Sequence, residues 1–277
     1  MDTPFVAAAL LSALLHASWN AAVKSSRDPQ AAMTAQMVVG AVAALPFLVW
    51  FGLPGRAAWP WLVLSSLLNV AIVFALLRAY AIGGFGVVYP VQRATGVLFV
   101  VPLATLLAGD QVGWAALAGI SIMVLALGSL AFDAARDRSL PFAALGWAVL
   151  AGACTAGCIL CDAQGVRNSD SALAYGLAVA IMNAVAMLLR QRDAQPWALP
   201  SHVWALAIPN AAASMTSYLL IIWVWSQAPI APAAALRDTS AIFAVLIAVF
   251  VLKEPFTRTR ILAVLLAAAA IPLLRLG

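Results

Sequence analysis

The first apolar segment of the chain carries polar and aromatic side chains on one face of a predicted helix. Ser12, His16, Trp19 and Asn20 follow one another at i, i+4, i+7 and i+8, which places them on the same side. Polar groups are costly inside a membrane and usually face the bundle interior or a cavity. We therefore expect His16, Trp19 and Asn20 to line a substrate path. The alternative is hydrogen bonding between helices, with the tryptophan as packing. His16 is also the candidate for proton coupling, since an unperturbed histidine titrates near neutral pH.

A second polar face occurs in the fourth apolar segment, where Tyr89, Gln92, Arg93 and Gly96 share a helical side. Arg93 follows the predicted helix start by about six residues, or roughly 9 Å at 1.5 Å per residue. Arg237 lies at the equivalent depth in the ninth segment. A buried guanidinium can bind a carboxylate through two hydrogen bonds. Alternatively, the aliphatic part of each arginine side chain lies in lipid and the guanidinium reaches the membrane interface.

Two further tyrosines are expected to line the same cavity, Tyr80 in the third segment and Tyr218 in the eighth. Trp223 and Trp225, near the end of the eighth segment, are typical of interfacial anchors. Asp162, at the predicted end of the sixth segment, is the acid nearest the path, and an interfacial position is its alternative. These side chains predict a cavity with hydrogen-bonding groups, aromatic rings and cations but few acids.

Other chemistry is less well supported by the sequence. Cys154, Cys158 and Cys161 lie on one helical face, and the last two form a CxxC, but small residues packing between helices are the expected explanation. The sequence contains no HExxH, no P-loop and no nucleophile elbow. We therefore expect no enzyme, no metal and no cofactor.

The composition defines the solvent in which these side chains must be positioned. Of 277 residues, 65% are hydrophobic and 9% are charged, whereas a soluble domain has roughly 45–50% apolar and about 25% charged residues. This predicts an all-α integral membrane protein without a separate soluble domain. Its ten predicted transmembrane helices cover 4–23, 31–51, 58–80, 87–107, 112–132, 141–161, 171–189, 203–226, 231–251 and 258–275.

The two halves of the sequence contain related segments at a constant offset of 144 residues. Arg93-Ala-Thr-Gly-Val-Leu-Phe99 is similar to Arg237-Asp-Thr-Ser-Ala-Ile-Phe243. The same offset pairs Gly109-Asp110 with Lys253-Glu254, at the ends of the fourth and ninth helices. Chance similarity between two apolar helices is less plausible when an arginine, a threonine, a phenylalanine and an acid share one register.

The repeat divides the chain into residues 1–138 and 139–277, each with five predicted helices. Because five is an odd number, the second copy must be inverted in the membrane. Two inverted five-helix repeats around a central cavity are typical of secondary transporters. Inversion also predicts that Arg93 and Arg237 lie near opposite faces of the membrane.

The basic residues between helices predict the orientation. The odd-numbered connections contain nine Lys and Arg residues, against three in the even-numbered connections and the C-terminal tail. Under the positive-inside rule, the odd connections are cytoplasmic and both termini are periplasmic.

The ten helices, the repeat, the first-helix sequence His16-Ala-Ser-Trp-Asn-Ala-Ala-Val-Lys24 and the helix ends Gly109-Asp110 and Lys253-Glu254 together resemble the EamA-type drug/metabolite transporter superfamily. In that family a Gly-Glu or Lys-Glu commonly closes helices four and nine, and Asp110 departs from this. Within the superfamily the chain most resembles bacterial amino-acid exporters of the YddG type. The small multidrug members use a glutamate in their first helix, but the first helix here has no acid, which argues against their mechanism.

The resemblance implies a secondary transporter of the bacterial inner membrane that exports amino acids, including aromatic ones, and related metabolites by alternating access. A carrier of the same type for nucleotide sugars, phosphorylated sugars or drug-like cations is the alternative, and a channel is a further one. The expected partners are the small-molecule substrate and the lipid bilayer, without nucleic acid, and we expect the monomer to function. In this hypothesis Arg93 or Arg237 binds the substrate carboxylate, while Trp19, Tyr80 and Tyr89 pack against its side chain.

Overall fold

The computed structural model describes residues 1–83, 85–135, 141–190, 201–251, 253 and 256–276, and there it is helical without strands. Ten helical stretches are long and apolar enough to cross a membrane, as predicted, and the ninth consists of two helices. A short 3-10 turn, Arg56–Ala58, precedes α3. The helices α1 to α11 are Thr3–Lys24, Pro29–Phe51, Trp59–Gly83, Phe85–Ala108, Trp114–Ala135, Phe142–Arg167, Ala172–Arg190, Ser201–Gln227, Ile230–Asp238, Ser240–Phe250 and Arg258–Leu276.

Small residues allow these helices to pack closely. Lipid is as apolar as leucine, so helices in a membrane associate through van der Waals contact and hydrogen bonds, which favours small residues between them. Large apolar side chains such as Val49 and Trp114 instead point outward, more than four-fifths exposed. Gly152 on α6 is an example of this close contact, because a Cβ there would lie 2.6 Å from the Cβ of Thr95 on α4.

The helix packing is consistent with two related halves. The offset of 144 residues relates α1–α5 to α6–α11, with α9 and α10 together equivalent to α4. Helix α3 packs against α6 as α8 packs against α1, and α4 contacts α6 as α9 and α10 contact α1. Gly109 and Lys253, paired by the same offset, both have positive φ angles, 69° and 60°. The predicted boundary at 138 and 139, and Glu254, lie outside the described residues.

Two helices differ from the prediction in ways that matter for the site. Helix α6 continues to Arg167, six residues beyond its predicted end, so Asp162 lies within the helix rather than at its end. The ninth span breaks at Thr239, whose hydroxyl donates to the carbonyl of Leu236 at 2.7 Å. Helices broken within the membrane are found where they line a cavity or a binding site.

Candidate functional site

Arg93 on α4 is the centre of a buried polar cluster. Its Nη1 lies 2.8 Å from Asp238 Oδ1 on α9, at the helix break, and the two side chains are 11% and 6% exposed. Its Nη2 lies 2.8 Å from His16 Nε2 on α1, and its Nε donates to the hydroxyl of Tyr89 at 3.2 Å. The side chain is therefore held by groups from three helices and does not extend toward the lipid interface.

These contacts define the protonation state of His16. A guanidinium has only donors, so His16 Nε2 accepts the hydrogen bond from Arg93. The ring is therefore neutral, with its proton on Nδ1. A role for His16 in proton coupling stays a prediction, and protonation of Nε2 would break this bond to Arg93.

The other polar residues predicted on α1 have different surroundings. Trp19 packs edge-to-face on His16, with 5.1 Å between ring centroids, and its buried Nε1 has no hydrogen-bond partner in the structure. Asn20 donates to the backbone carbonyl of His16 at 2.7 Å, within its own helix. Ser12 and Ser217 exchange hydroxyl-to-carbonyl hydrogen bonds of 2.6 and 2.7 Å between α1 and α8. On this face, therefore, His16 and Trp19 belong to the cluster, whereas Ser12 joins helices.

Aromatic side chains lie close to the Arg93 guanidinium. Its Cζ is 5.2 Å from the ring centroid of Tyr89, a favourable cation–π distance. Tyr80 on α3 interacts electrostatically with both Tyr89 and Arg93. Gln92, predicted for the same cavity, instead donates to Thr155 Oγ1 on α6 at 2.8 Å and is 4% exposed. The structure therefore places Gln92 in the contact between α4 and α6.

Arg237, the second predicted arginine, forms no salt bridge within 4 Å among the described residues. Its guanidinium carbon lies 5.7 Å from the ring centroid of Trp225, and its buried Nε has no hydrogen-bond partner in the part of the chain that the structure describes. It interacts electrostatically with Arg93, Asp238, Tyr218 and Asp162. Trp225 is fully buried, so the prediction of an interfacial anchor is wrong for Trp225, whereas Trp223 is 41% exposed.

The prediction that the two arginines lie near opposite membrane faces is also wrong, because Arg93 bonds the residue that follows Arg237. Helix α4 begins two residues earlier than predicted, and at 1.5 Å per residue each arginine lies roughly 10–12 Å along its helix. The helices are antiparallel, and the hydrocarbon core is about 30 Å thick. Both side chains therefore reach its middle.

A second buried cluster surrounds Asp162 on α6. Its Oδ1 accepts hydrogen bonds from Ser65 on α3 at 2.6 Å and from Tyr175 on α7 at 3.3 Å. Its Oδ2 accepts one from Tyr218 on α8 at 2.9 Å. Gly165 makes room for this arrangement, because a Cβ there would lie 2.3 Å from the Tyr175 ring. Tyr218, a predicted cavity residue, also interacts electrostatically with Arg237. It therefore connects the Asp162 cluster with the arginines.

A third polar cluster joins the ends of several helices on one side of the bundle. Asp110 accepts a hydrogen bond from the backbone N–H of Ile230, at the start of α9, where a negative charge complements the helix dipole. Arg167 lies 3.6 Å from Asp110 and donates to the carbonyls of Trp225 and Ala228 at 3.0 and 2.8 Å, at the end of α8. These contacts tie together α4, α6, α8 and α9.

The cysteines do not assemble a metal site in the described ranges, where no group of three or more His, Cys, Asp or Glu side chains could hold an ion. Cys158 Sγ lies 3.3 Å from Ser65 Oγ and is part of the Asp162 surroundings. All three cysteines are free thiols.

Comparison with known proteins agrees with the fold. Residues 142–276 match the model of the EamA-like transporter family. A solved crystal structure with 13% sequence identity superposes with a TM-score of 0.77 and covers 98% of this chain and 95% of that chain. At this identity, the likeness shows the shared fold. A comparison with curated protein sequences gave no match.

The matched residues, just under half of the chain, are similar to the EamA-like transporter family. With ten apolar helices of membrane length, the chain is a multi-pass membrane protein.

Proposed function

We propose that the protein is a secondary transporter that exports amino acids, aromatic ones included, by alternating access. It acts in the bacterial inner membrane with both termini in the periplasm. The observation that carries this proposal is the buried guanidinium of Arg237, which has no carboxylate within 4 Å in the described part of the chain, beside the complete Arg93–Asp238 ion pair.

The charges of this site suit a zwitterion. An isolated charge in a low-dielectric interior is costly unless it is paired, so Arg237 favours a ligand with a carboxylate. A guanidinium can bind a carboxylate through two parallel hydrogen bonds. Asp238, the next residue, pairs with Arg93 through Oδ1, and in this proposal its Oδ2 accepts a hydrogen bond from the substrate ammonium group. Phosphorylated solutes would favour a larger cluster of cations, and a cationic drug would leave the Arg237 guanidinium without a carboxylate.

The side chain of the substrate has an aromatic environment. Trp19, Tyr80 and Tyr89 surround the Arg93 cluster, and Trp225 packs beside Arg237. Amphipathic rings offer both apolar contact and hydrogen bonds. This supports a carrier for amino acids with apolar or aromatic side chains.

The helix break and the Asp110–Arg167 cluster support alternating access. The discontinuity at Thr239 follows directly after Arg237 and Asp238, so ligand binding there acts on a point where the ninth span can bend. In this proposal the Asp110–Arg167 cluster closes the end of the bundle that the basic residues predict to be periplasmic, and it opens when the two halves rock about the central site.

Counterflow in proteoliposomes tests the proposal. Purified protein should exchange external labelled L-phenylalanine, L-leucine or L-alanine for unlabelled amino acid inside the vesicles. A carrier shows this trans-stimulation and an open channel does not. Arg237→Gln should abolish exchange, whereas Arg78→Gln, which changes an exposed arginine on α3, should retain it. Exchange of nucleotide sugars or cationic drugs but not of any amino acid would refute the proposed substrate class.

A further inference from the structure

Asp162 is a buried carboxylate that substrate recognition by Arg93 and Arg237 leaves unused. It is 4% exposed and lies five residues before Arg167, the last residue of α6, within the membrane-spanning part. Its hydrogen-bond donors are hydroxyl groups from three other helices, Ser65, Tyr175 and Tyr218. Intramembrane acids are rare and often mark ion or proton pathways.

Groups on α3, α6, α7, α8 and α9 interact with Asp162. Cys158 and Cys161 lie on its own helix, Tyr175 on α7 and Tyr218 on α8. Arg237 on α9 interacts with it electrostatically but forms no salt bridge within 4 Å in the described residues. Helix α3 contributes the hydroxyl of Ser65. The hydroxyl hydrogen bonds stabilise an ionised Asp162 most, and Arg237 adds a weaker electrostatic attraction.

We propose that Asp162 is a proton-binding site and that one proton binds there together with each substrate molecule. The inference rests on the proposed function, in which the substrate carboxylate binds Arg237. Once that carboxylate occupies Arg237, the positive charge no longer offsets Asp162, and two carboxylates share one guanidinium. The substrate ammonium lies on the side of Asp238, so the competition of two carboxylates for Arg237 is local, and a proton on Asp162 removes it.

The hydroxyl network can hold both protonation states. The ionised carboxylate accepts from all three hydroxyls. When Asp162 is protonated on Oδ1, it can donate to Ser65 Oγ, because the Ser65 hydroxyl can turn toward Cys158 Sγ at 3.3 Å. The proton comes from water on one side of the membrane and returns to water on the other, and no other reactant is needed.

His16 is less suited to this role in the present structure because its Nε2 accepts a hydrogen bond from Arg93.

The coupling direction has a physiological consequence. Each exported molecule carries one proton outward, so net export needs an outward substrate gradient that exceeds the opposing proton gradient.

Uptake of labelled L-phenylalanine into proteoliposomes tests this inference, with the membrane potential clamped at zero. When the outside is one pH unit more acidic than the lumen, the wild type should accumulate the amino acid about tenfold, since one coupled proton contributes 2.303RT per pH unit. Asp162→Asn should lose this accumulation and keep counterflow at equal pH. Asp170→Asn, which changes an exposed acid, should behave like the wild type.

Several results would overturn the coupling. These are equal accumulation with and without the pH gradient, accumulation with an acidic lumen instead, or an Asp162→Asn protein that remains coupled. If Asp162→Asn does not fold, Asp162→Ser provides the second uncoupled variant. A pH dye provides a measurement on the wild type itself, which in detergent should take up about one proton for each L-phenylalanine bound. If no protons are taken up when L-phenylalanine binds, the inference is refuted. Counterflow without coupling contradicts only the proton site, whereas wild type without counterflow of any amino acid contradicts the proposed function.

Discussion

The guanidinium of Arg93 lies 2.8 Å from the carboxylate of Asp238, and this buried ion pair joins α4 of the first predicted half to α9 of the second. The offset of 144 residues makes α4 and α9 equivalent elements, so the pair lies where the two copies meet. The same two helices meet again through Asp110 and the N-terminus of α9. The central site and the Asp110–Arg167 cluster are thus built on one pair of helices.

Breaking the Arg93–Asp238 pair should destabilise the protein. Arg93→Ala leaves a buried carboxylate and Asp238→Asn a buried guanidinium without its ion pair, and each should cost about 3–5 kcal/mol. Replacing both by apolar residues, Arg93→Met with Asp238→Leu, should recover much of this loss. Thermal unfolding in detergent, followed by tryptophan fluorescence, provides the measurement. Single variants as stable as the wild type would show that the pair contributes little.

His16→Gln separates recognition from proton coupling. A glutamine amide oxygen can accept the hydrogen bond from Arg93 but does not titrate near neutral pH. We expect KM for L-phenylalanine to rise by up to about tenfold, the cost of an imperfect hydrogen bond, while accumulation still follows the pH gradient. If the variant transports but no longer responds to the gradient, His16 rather than Asp162 carries the proton.

Gly165→Ala tests the packing that brings Tyr175 to Asp162. The new methyl group would overlap the Tyr175 ring, at 2.3 Å from its nearest atoms, and overpacking of this kind costs about 1–3 kcal/mol. Gly146→Ala on the same helix is the matched control, because no atom lies within 4 Å of its added Cβ. We expect a lower melting temperature for Gly165→Ala alone, and equal melting temperatures would contradict this packing.

Arg167→Gln tests the Asp110–Arg167 cluster. The substitution removes the charge beside Asp110 and the guanidinium hydrogen bonds to two carbonyls at the end of α8, so we expect a loss of about 1.5–3 kcal/mol. Arg56→Gln, which changes an exposed arginine, should leave stability unchanged. Unfolding in detergent compares the two, and an Arg167→Gln protein as stable as Arg56→Gln would show that this cluster does not hold the helices together.

The helical architecture could be read from the sequence because it depends on local composition. Long apolar runs bounded by glycine, proline and charge define the membrane spans. The break at Thr239 was not predicted, because no proline or glycine interrupts residues 233–250 and the discontinuity depends on tertiary contacts around Asp238.

The site was only partly predictable, for a related reason. His16, Trp19, Tyr89 and Arg93 stand out as polar or aromatic groups on apolar helices, and the structure brings them together. The sequence does not give Asp238 a partner, because its side chain faces away from its neighbour Arg237 and its partner Arg93 is 145 residues earlier in the chain. The signal in the sequence was an acidic residue, Asp238, within the ninth apolar span. Gln92 shows the converse. Its position on the same helical face as Arg93 does not distinguish a residue that lines a cavity from one that lies in the contact between α4 and α6.

The discrimination between L-phenylalanine and phenethylamine, which lacks the carboxylate, tests the central claim most directly. Competition in the counterflow assay should show that the wild type prefers L-phenylalanine by about 10-fold to 100-fold, as expected for a charge-assisted hydrogen-bonded pair. Arg237→Lys, which keeps the charge without the planar fork, should retain part of this preference. Wild-type protein that binds both compounds equally well would contradict the assignment of Arg237 as the carboxylate receptor of an amino-acid transporter.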